Sequence, residues 1–165
     1  MKKNVLNRYT GLLFYVVSSI VLLDQITKAA IIKKLPLYSS VPIIHGFFSI
    51  VNYRNPGGAF GFLANQSPAV RGLLFIFVSS LSILIIYYFY KKISTEYYLL
   101  RTCFALIIGG AVGNMIDRIR FGYVIDFLDF YIKNLHWPAF NVADSAITIG
   151  VIIFLYHIFF NKMPE

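Results

Sequence analysis

The sequence predicts an all-α membrane protein that carries a small β element. Of its 165 residues, 58% are hydrophobic and only 13% are charged, whereas about a quarter of the residues in a soluble domain are charged. Four apolar runs are each close to the length of about 20 helical residues that crosses a hydrocarbon core. A further segment alternates apolar and polar residues, which is typical of a half-buried strand.

The four apolar runs predict four membrane-spanning helices. They cover about 11–32, 69–90, 99–116 and 140–160. The first run follows basic residues, as a secretory signal does, but no small-residue cleavage site comes after it, so we expect it to be retained as a signal anchor. No linker or repeat divides the chain, and residues 1–165 are expected to form a single integral-membrane domain.

Basic residues in the short loops predict that both termini lie in the cytoplasm. The inner-side residues are Lys2, Lys3, Arg8, Lys91, Lys92, Arg101 and Lys162. An equal number would then lie outside: Lys33, Lys34, Arg54, Arg71, Arg118, Arg120 and Lys133. The prediction therefore depends on the first span and on the tight turn after the second. It places segments of about 33–68 and 119–139 together on the extracytoplasmic side.

The first of these outer segments predicts short strands around a turn. Residues Phe48 to Arg54 alternate in polarity, and Asn55-Pro56-Gly57-Gly58 follows them. Open strand edges cannot lie bare in lipid, because their backbone groups would be unpaired. We therefore expect a cradle-like sheet that lies at the membrane interface above the helices.

Composition and residue spacing exclude several classes of function. The net charge is +8, but no soluble basic domain is present to bind nucleic acid, so anionic lipid headgroups are the better partner. Cys103 is the one cysteine and lies in an apolar run, where packing is its expected role. His45, His136 and His157 show neither metal spacing nor a serine elbow. We expect no metal or cofactor, and we expect His45 and His136 to be interface residues.

All five aspartates lie in or beside short polar motifs. They are Asp24, Asp117, Asp126, Asp129 and Asp144. Asp24 and Lys28 are four residues apart on one helical face and can pair, either to anchor the span or to orient a substrate. The turn at Asn55 is either a plain turn or a site that holds a peptide backbone.

The third and fourth spans carry the remaining motifs. Gly109 and Gly113 form a GxxxG pair, which favours tight helix packing. Asn114, Asp117 and Arg118 follow as the span ends. They either belong to a functional site, or Asp117 contacts Arg118 only to anchor the helix at the interface. Asp126 comes after this span between apolar neighbours.

Asp144 opens the fourth span and could be an ordinary helix cap. Asn141 already offers a cap, however, which would leave Asp144 available for chemistry. Two close carboxylates such as Asp126 and Asp144 can hydrolyse an amide without a metal, because one holds a proton while the other activates water. Asn114 or Arg118 could stabilise the oxyanion.

Five blocks, read in order, resemble the signature blocks of lipoprotein signal peptidase, or signal peptidase II, an aspartic peptidase family designated A8. They are Asp24-Gln25-x-x-Lys28, Asn55-x-Gly57-x-Ala59-Phe60, Gly113-Asn114-x-x-Asp117-Arg118, Val124-x-Asp126-Phe127 and Phe140-Asn141-x-Ala143-Asp144. The resemblance covers nearly the whole chain. Gly58 departs from it, since the family more often has alanine there.

The resemblance implies a bacterial inner-membrane enzyme whose active site faces the extracytoplasmic side. It removes signal peptides from prolipoproteins on the N-terminal side of a diacylglyceryl-modified cysteine. Asp126 and Asp144 would be the catalytic dyad. The implied supporting residues are Asp24, Lys28, Asn55, Gly113, Asn114, Arg118, Asn141 and Ala143. Asp117 would support the structure and Asp129 would be an exposed loop acid. The implied partners are the prolipoprotein, membrane lipids and the inhibitor globomycin, and we expect a monomer.

Two other classes of function stay open at this point. A small proton-coupled carrier would use intramembrane acids as a relay, and it predicts acids deep in several spans and often repeat symmetry. The sequence shows neither. A non-enzymatic membrane subunit would pack through its GxxxG face, which leaves Asp126 and Asp144 unexplained.

Overall fold

The computed structural model describes residues 2–57 and 66–160, with side chains from Thr10 onward. The helices are α1 (Lys2–Lys34), α2 (Pro68–Lys92), α3 (Tyr98–Phe121) and α4 (Val142–Phe159). The strands are β1 (Ser40–Ile44), β2 (Phe48–Asn55), β3 (Val124–Ile132) and β4 (Leu135–His136). Gly58, Ala59 and Phe60 of the turn motif lie outside the described residues.

Four helices are long and apolar enough to cross a membrane, which confirms the predicted class. They are Thr10–Lys34, Pro68–Lys92, Tyr98–Phe121 and Val142–Phe159. Large apolar side chains such as Phe14, Leu73 and Phe77 are exposed on their outer faces, as expected of surfaces that contact lipid. The third helix extends beyond the predicted end at residue 116, and Asn114 and Asp117 in its last turns are buried in the bundle.

Helix α3 lies at the centre of the bundle and packs against α1, α2 and α4. A Cβ atom on Gly109 would lie 3.1 Å from Ile20 Cβ on α1. A Cβ atom on Gly110 would lie 2.7 Å from Ile147 Cγ1 on α4. The predicted packing role of the small residues is thus confirmed, and Cys103 is buried in the apolar core between helices as expected.

The four strands form one antiparallel sheet in the order β1-β2-β3-β4. Strand β2 confirms the predicted strand, whereas β3 was not predicted as a strand. The two pair so that Phe48 lies opposite Phe130 and Asn55 lies opposite Val124. Gly122 joins α3 to β3 in the left-handed region, at φ 76°, where a glycine is preferred because it has no Cβ.

Several hydrogen bonds hold the sheet over one end of the helix bundle. The Asn52 side chain donates to the Leu35 carbonyl just after α1, at 2.8 Å. The backbone N–H of Ile125 in β3 donates to the Asp117 carboxylate on α3, at 3.1 Å. Leu128 of β3 also pairs with Phe140, which shortly precedes α4. The sheet therefore brings β3 next to the first turn of α4.

Candidate active site

Asp126 and Asp144 line one cavity of about 630 Å³ where the sheet meets the helices. The other lining residues are Asn55, Asn114, Arg118, Val124, Trp137, Pro138, Ala139, Phe140, Ser145, Ile147, Thr148 and Ile149. Polar groups are concentrated around the two carboxylates, and apolar side chains form much of the remaining wall. The structure thus joins two acids that come from different elements of the chain.

Asp126 lies on β3 and is buried. Its Oδ1 atom accepts a hydrogen bond from Asn141 Nδ2 at 2.8 Å. Its Oδ2 atom accepts one from Asn55 Nδ2 at 3.0 Å. Asn55 is itself fixed, because its Oδ1 accepts from the Gly57 N–H at 3.1 Å. Both carboxylate oxygens of Asp126 are therefore held by neutral amide donors.

Asp144 lies in the first turn of α4, where Asn141 is the N-cap. The Asn141 side chain accepts from the Asp144 N–H at 2.9 Å, which confirms the predicted cap. The expectation that this cap leaves Asp144 free is wrong in part. Asp144 Oδ2 accepts from the Asn141 N–H at 3.3 Å and so completes a capping box, while its Oδ1 accepts from Asn114 Nδ2 at 2.7 Å.

Asn141 connects the two acids directly. Its side chain donates to Asp126 and its backbone N–H donates to Asp144. The residue is fully buried, and its Nδ2 also lies 3.2 Å from the Asn114 Oδ1 atom. One rigid residue therefore fixes the position of both carboxylates relative to each other.

Burial, and after it the negative charge of Asp144, raise the pKa of Asp126 to about 7. The hydrogen bonds from Asn55 and Asn141 and the charge of Lys28 act in the opposite sense. Because burial and the neighbouring charge dominate, Asp126 can hold a proton close to neutral pH. A carboxylic acid next to a second carboxylate is suited to general acid–base chemistry.

A second group of charges lies behind the cavity, and we term Asp24, Lys28 and Asp117 the lysine cluster. Lys28 Nζ lies 2.8 Å from Asp24 Oδ2 and 2.9 Å from Asp117 Oδ2. The predicted pairing of Asp24 with Lys28 is confirmed. Asp117 pairs with Lys28 instead of Arg118, so the anchoring contact considered from the sequence is wrong. Lys28 also donates to the Asn114 Oδ1 atom at 3.1 Å.

Gly113 and Ala143 keep the lysine cluster close to α4. A Cβ atom on Gly113 would lie 2.8 Å from Asp24 Oδ2 and 3.2 Å from Ala143 Cβ. The Ala143 N–H donates to Asp24 Oδ1 at 3.0 Å. These two positions therefore take small residues because α1, α3 and α4 meet there, next to Asp144.

Arg118 connects the cavity to the turn after β2. Its Nη2 atom donates to the Gly57 carbonyl at 3.3 Å, and its guanidinium lies over the Phe75 ring of α2, 4.6 Å from the centroid. The side chain is among those that line the cavity. It therefore brings a positive charge to the wall that the two acids also face.

Asp129 is not the exposed loop acid that the resemblance implied. It lies on β3, opposite Ser49 of β2, and is only 4% exposed. Its two carboxylate oxygens lie 2.9 and 3.0 Å from His136 Nδ1. The residue was misplaced because the strand that buries it was not predicted. His136 itself keeps an exposed side chain.

Some site residues were not selected from the sequence. Gln25 donates to the Asp117 carboxylate at 2.9 Å and to the Gly113 carbonyl at 3.3 Å. Its place beside Asp24 in the first motif was the available signal. Trp137 and Pro138 form part of the cavity wall, and the only tryptophan of the chain, just ahead of the last motif, could have indicated this.

Within residues 10–57 and 66–160, no three acidic, histidine or cysteine side chains come together as a metal site would require. The polar groups of the described residues at this partly apolar cavity are two carboxylates, three asparagines, one arginine and the hydroxyls of Ser145 and Thr148.

Comparison with protein families gives a match over most of the chain. The model of peptidase family A8, described as signal peptidase (SPase) II, matches residues 16–160. The lipoprotein signal peptidase of Desulforapulum autotrophicum is 55% identical over 146 residues, which cover 88% of this chain and 90% of the relative. That of Geobacter sulfurreducens is 50% identical over 136 residues, which cover 82% and 84% respectively.

Two solved bacterial membrane enzyme structures share the fold. One superimposes with a TM-score of 0.82 at 30% sequence identity and covers 94% of this chain and 93% of its own. The other has a TM-score of 0.79 at 31% identity and covers 90% and 92%. The similarity therefore extends over the helices and the sheet together.

Proposed function

This chain belongs to the signal peptidase II family, and we propose that it is an aspartic endopeptidase that cleaves diacylglyceryl-modified prolipoproteins on the N-terminal side of the lipidated cysteine. The resemblance seen in the sequence is thus confirmed at the level of the family, and the chain is a multi-pass membrane peptidase. The observation that carries the finer proposal is the bonding of Asn141 to both Asp126 and Asp144 at one cavity.

In the proposed mechanism the two carboxylates act on one water molecule. Asp144 takes a proton from the water while the water oxygen bonds to the scissile carbonyl carbon. Asp126, whose pKa is raised to about 7, supplies the proton that the leaving nitrogen needs when the carbon–nitrogen bond breaks. The pair then holds one proton again. A well-placed general acid or base contributes about 10²- to 10⁴-fold to the rate.

The amide and guanidinium groups take distinct parts in this proposal. Asn55, Asn114 and Asn141 orient the carboxylates, because their side-chain N–H groups already donate to them. Arg118 lines the cavity, and within the part of the chain that the structure describes its guanidinium donates to the Gly57 carbonyl and to neither acid, so it can stabilise the oxyanion that forms on the carbonyl oxygen. The lysine cluster stabilises the position of Asn114, because Lys28 donates to its Oδ1 atom.

The proposed substrate agrees with a cavity whose wall is polar around the two acids and apolar elsewhere. The apolar part of the cavity wall lies beside the polar side chains around the two acids. It is formed by Val124, Trp137, Phe140, Ile147 and Ile149. A diacylglyceryl chain leaves the bilayer at a cost of about 0.8 kcal/mol for each CH₂, so the scissile bond must stay near the membrane surface. The cavity lies at the sheet-bearing ends of the helices, where that bond would be found.

We place the sheet and the cavity on the extracytoplasmic side of the bacterial inner membrane, with both termini in the cytoplasm and the enzyme as a monomer. The basic turn between α2 and α3 supports this orientation. Lys91 and Lys92 close α2 there, and their ammonium groups lie 5.9 and 4.5 Å from the ring centroids of Tyr87 and Tyr88.

The proposal is tested by cleavage of a diacylglyceryl prolipoprotein by purified protein in detergent. Asp126→Asn and Asp144→Asn should each lower the rate by at least about 10³-fold, while the melting temperature in detergent shows that the protein stays folded. Asp129→Asn makes the same chemical change three positions along β3 and should retain activity. Full turnover by either dyad variant would contradict the assignment.

Two inhibitor experiments separate this mechanism from others. Cleavage should persist in the presence of chelators and of serine or thiol reagents, because the proposed chemistry uses neither a metal nor a nucleophilic side chain. Loss of activity with a chelator would point to a metal instead. Globomycin, an inhibitor of the family, should compete with the prolipoprotein by placing a hydroxyl group between Asp126 and Asp144.

A further inference from the structure

Among the described side chains, the sheet-bearing end of the helix bundle exposes positive charge without matching exposed negative charge. Four of the five aspartates are buried, and Asp144 faces the cavity. Glu96 lies in the turn between α2 and α3 at the opposite end. The exposed basic residues at the sheet end are Lys33, Lys34, Arg54, Arg120 and Lys133.

Two of these residues belong to an arginine–aromatic cluster, which consists of Arg54, Arg120, Phe121 and Tyr123. The Arg120 guanidinium lies over the Phe121 ring, 4.9 Å from its centroid. The Phe121 and Tyr123 rings stack at 5.7 Å, and the Arg54 guanidinium lies over Tyr123, also at 4.9 Å. Arg120 Nη1 also donates to Gln25 Oε1 at 3.4 Å. Stacking on rings limits the motion of a guanidinium while its remaining N–H donors can still bind an anion.

The arginine–aromatic cluster lies apart from the catalytic cavity. Successive side chains of a strand point to opposite faces, and Asn55 of β2 points to Asp126, so the neighbouring Arg54 points the other way. Tyr123 comes just before β3, and its ring contacts Arg54, whereas Val124 lines the cavity. A ligand on the cluster would therefore not occupy the space of the reacting peptide.

The arginine–aromatic cluster lies at the end of a helix that is long and apolar enough to cross a membrane. Phe121 is the last residue of α3, and Lys33 and Lys34 end α1, so these charges lie where two membrane helices leave the hydrocarbon. Under the proposed orientation they also run against the tendency of basic residues to remain in the cytoplasm. Guanidinium groups bind phosphate through paired N–H donors, which makes them suited to this position.

We propose that the arginine–aromatic cluster, helped by Lys33 and Lys34, is a binding site for the phosphate headgroup of an anionic phospholipid in the leaflet that borders the sheet. Its role would be to hold the sheet at a fixed depth against the membrane surface. The inference concerns a different face from the proposed dyad and does not depend on cleavage.

The experiment measures phospholipid binding to the full chain in a neutral detergent by native mass spectrometry and by thermal unfolding. Phosphatidylglycerol should bind and raise the melting temperature, and phosphatidylcholine should bind at least tenfold more weakly. Arg54→Gln and Arg120→Gln should each weaken phosphatidylglycerol binding about fivefold and the double variant about 25-fold. Lys133→Gln, which removes one exposed charge at the turn between β3 and β4, should change it less than twofold.

The remaining arms decide between the lipid and other anions. Thermal unfolding without lipid shows whether each variant is folded. If the double variant is not folded, phosphatidylglycerol binding by the two single variants tests the proposal. Equal phosphatidylglycerol binding by the Arg variants and the unchanged protein would overturn the proposal, as would displacement of the lipid by inorganic phosphate at equal concentration. Repeating the titration on Asp126→Asn should give unchanged binding, so failure of the lipid site and failure of the proposed peptidase mechanism can be told apart.

Discussion

Two groups of acids lie next to each other at the sheet-bearing end of this protein, and they differ in how their charges are balanced. In the lysine cluster, Asp24 and Asp117 share one ammonium group at 2.8 and 2.9 Å. Among the described residues, Asp126 and Asp144 lie within ion-pair distance of no basic side chain and accept only from neutral amide groups. The first group is sealed from solvent, and the second faces a cavity.

The difference shows how one set of residue types can serve either structure or chemistry. A buried carboxylate paired with a lysine holds structural elements together. A carboxylate that has only a second carboxylate and neutral donors nearby is better placed to share a proton. The two groups are also linked, because the positive charge of Lys28 lowers the pKa of Asp126 while burial and Asp144 raise it.

The substitution that removes the shared ammonium group of Lys28 should have the largest effect, which is on the stability of the protein. Lys28→Met would leave Asp24 and Asp117 buried without a cation, and breaking a buried ion pair in this way costs about 3–5 kcal/mol. We expect a large fall in the melting temperature in detergent, or loss of folded protein. Lys34→Met, at the exposed end of the same helix, should leave the melting temperature nearly unchanged. Equal stability of the two variants would show that the lysine cluster is not structural.

The sequence predicted the membrane class and both groups of acids better than it predicted their partners. The apolar runs indicated four spans because hydrocarbon length is a strong constraint. The sequence-based prediction ended the third span near residue 116, five residues before Phe121. A hydropathy pattern does not distinguish polar residues that face protein from those that face water. Asn114 and Asp117 are such buried residues.

The contacts that were mispredicted join residues distant in sequence or depend on an unrecognised strand. Asp117 was considered with its neighbour Arg118, although adjacent helical residues do not face each other. Its partner Lys28 comes from a different helix and could not be found from spacing. Asp129 was placed in a loop because Asp126 and Asp129 interrupt the apolar residues of β3, so no strand was predicted there. The pairing of β3 with β2 is what buries that side chain.

A smaller perturbation tests whether close helix packing joins the two groups. In Gly113→Ala the new Cβ would lie 2.8 Å from the Asp24 carboxylate, so the backbone or the acid must move. Overpacking of this kind costs about 1–3 kcal/mol, and we expect a lower melting temperature together with lower cleavage activity. Gly72→Ala on α2 meets nothing within 4 Å and should be neutral or slightly stabilising. A neutral Gly113→Ala would mean that α3 and α4 adjust freely at this point.

The smallest expected effect is a dependence of cleavage on pH that arises from the dyad alone. Burial, together with the charge of Asp144, raises the pKa of Asp126 to about 7 from its ordinary value of 3.8. The proposed mechanism needs the proton on Asp126, so that proton is present below pH 7 and is lost as the pH rises through 7. The value of kcat/KM should therefore fall about tenfold for each pH unit above that point, because a single deprotonation removes the active form.

This alkaline limb belongs to the two acids as a pair, since their titrations are coupled. Asp129→Asn changes a buried acid outside the cavity and should leave the limb where it is, even if that variant is less stable. Melting temperatures recorded across the same pH range show whether the protein remains folded while activity falls. A profile that stays flat up to pH 9 in folded protein would contradict the assignment of the proton to Asp126. The two groups of acids would then differ only in that Asp24 and Asp117 are paired with Lys28.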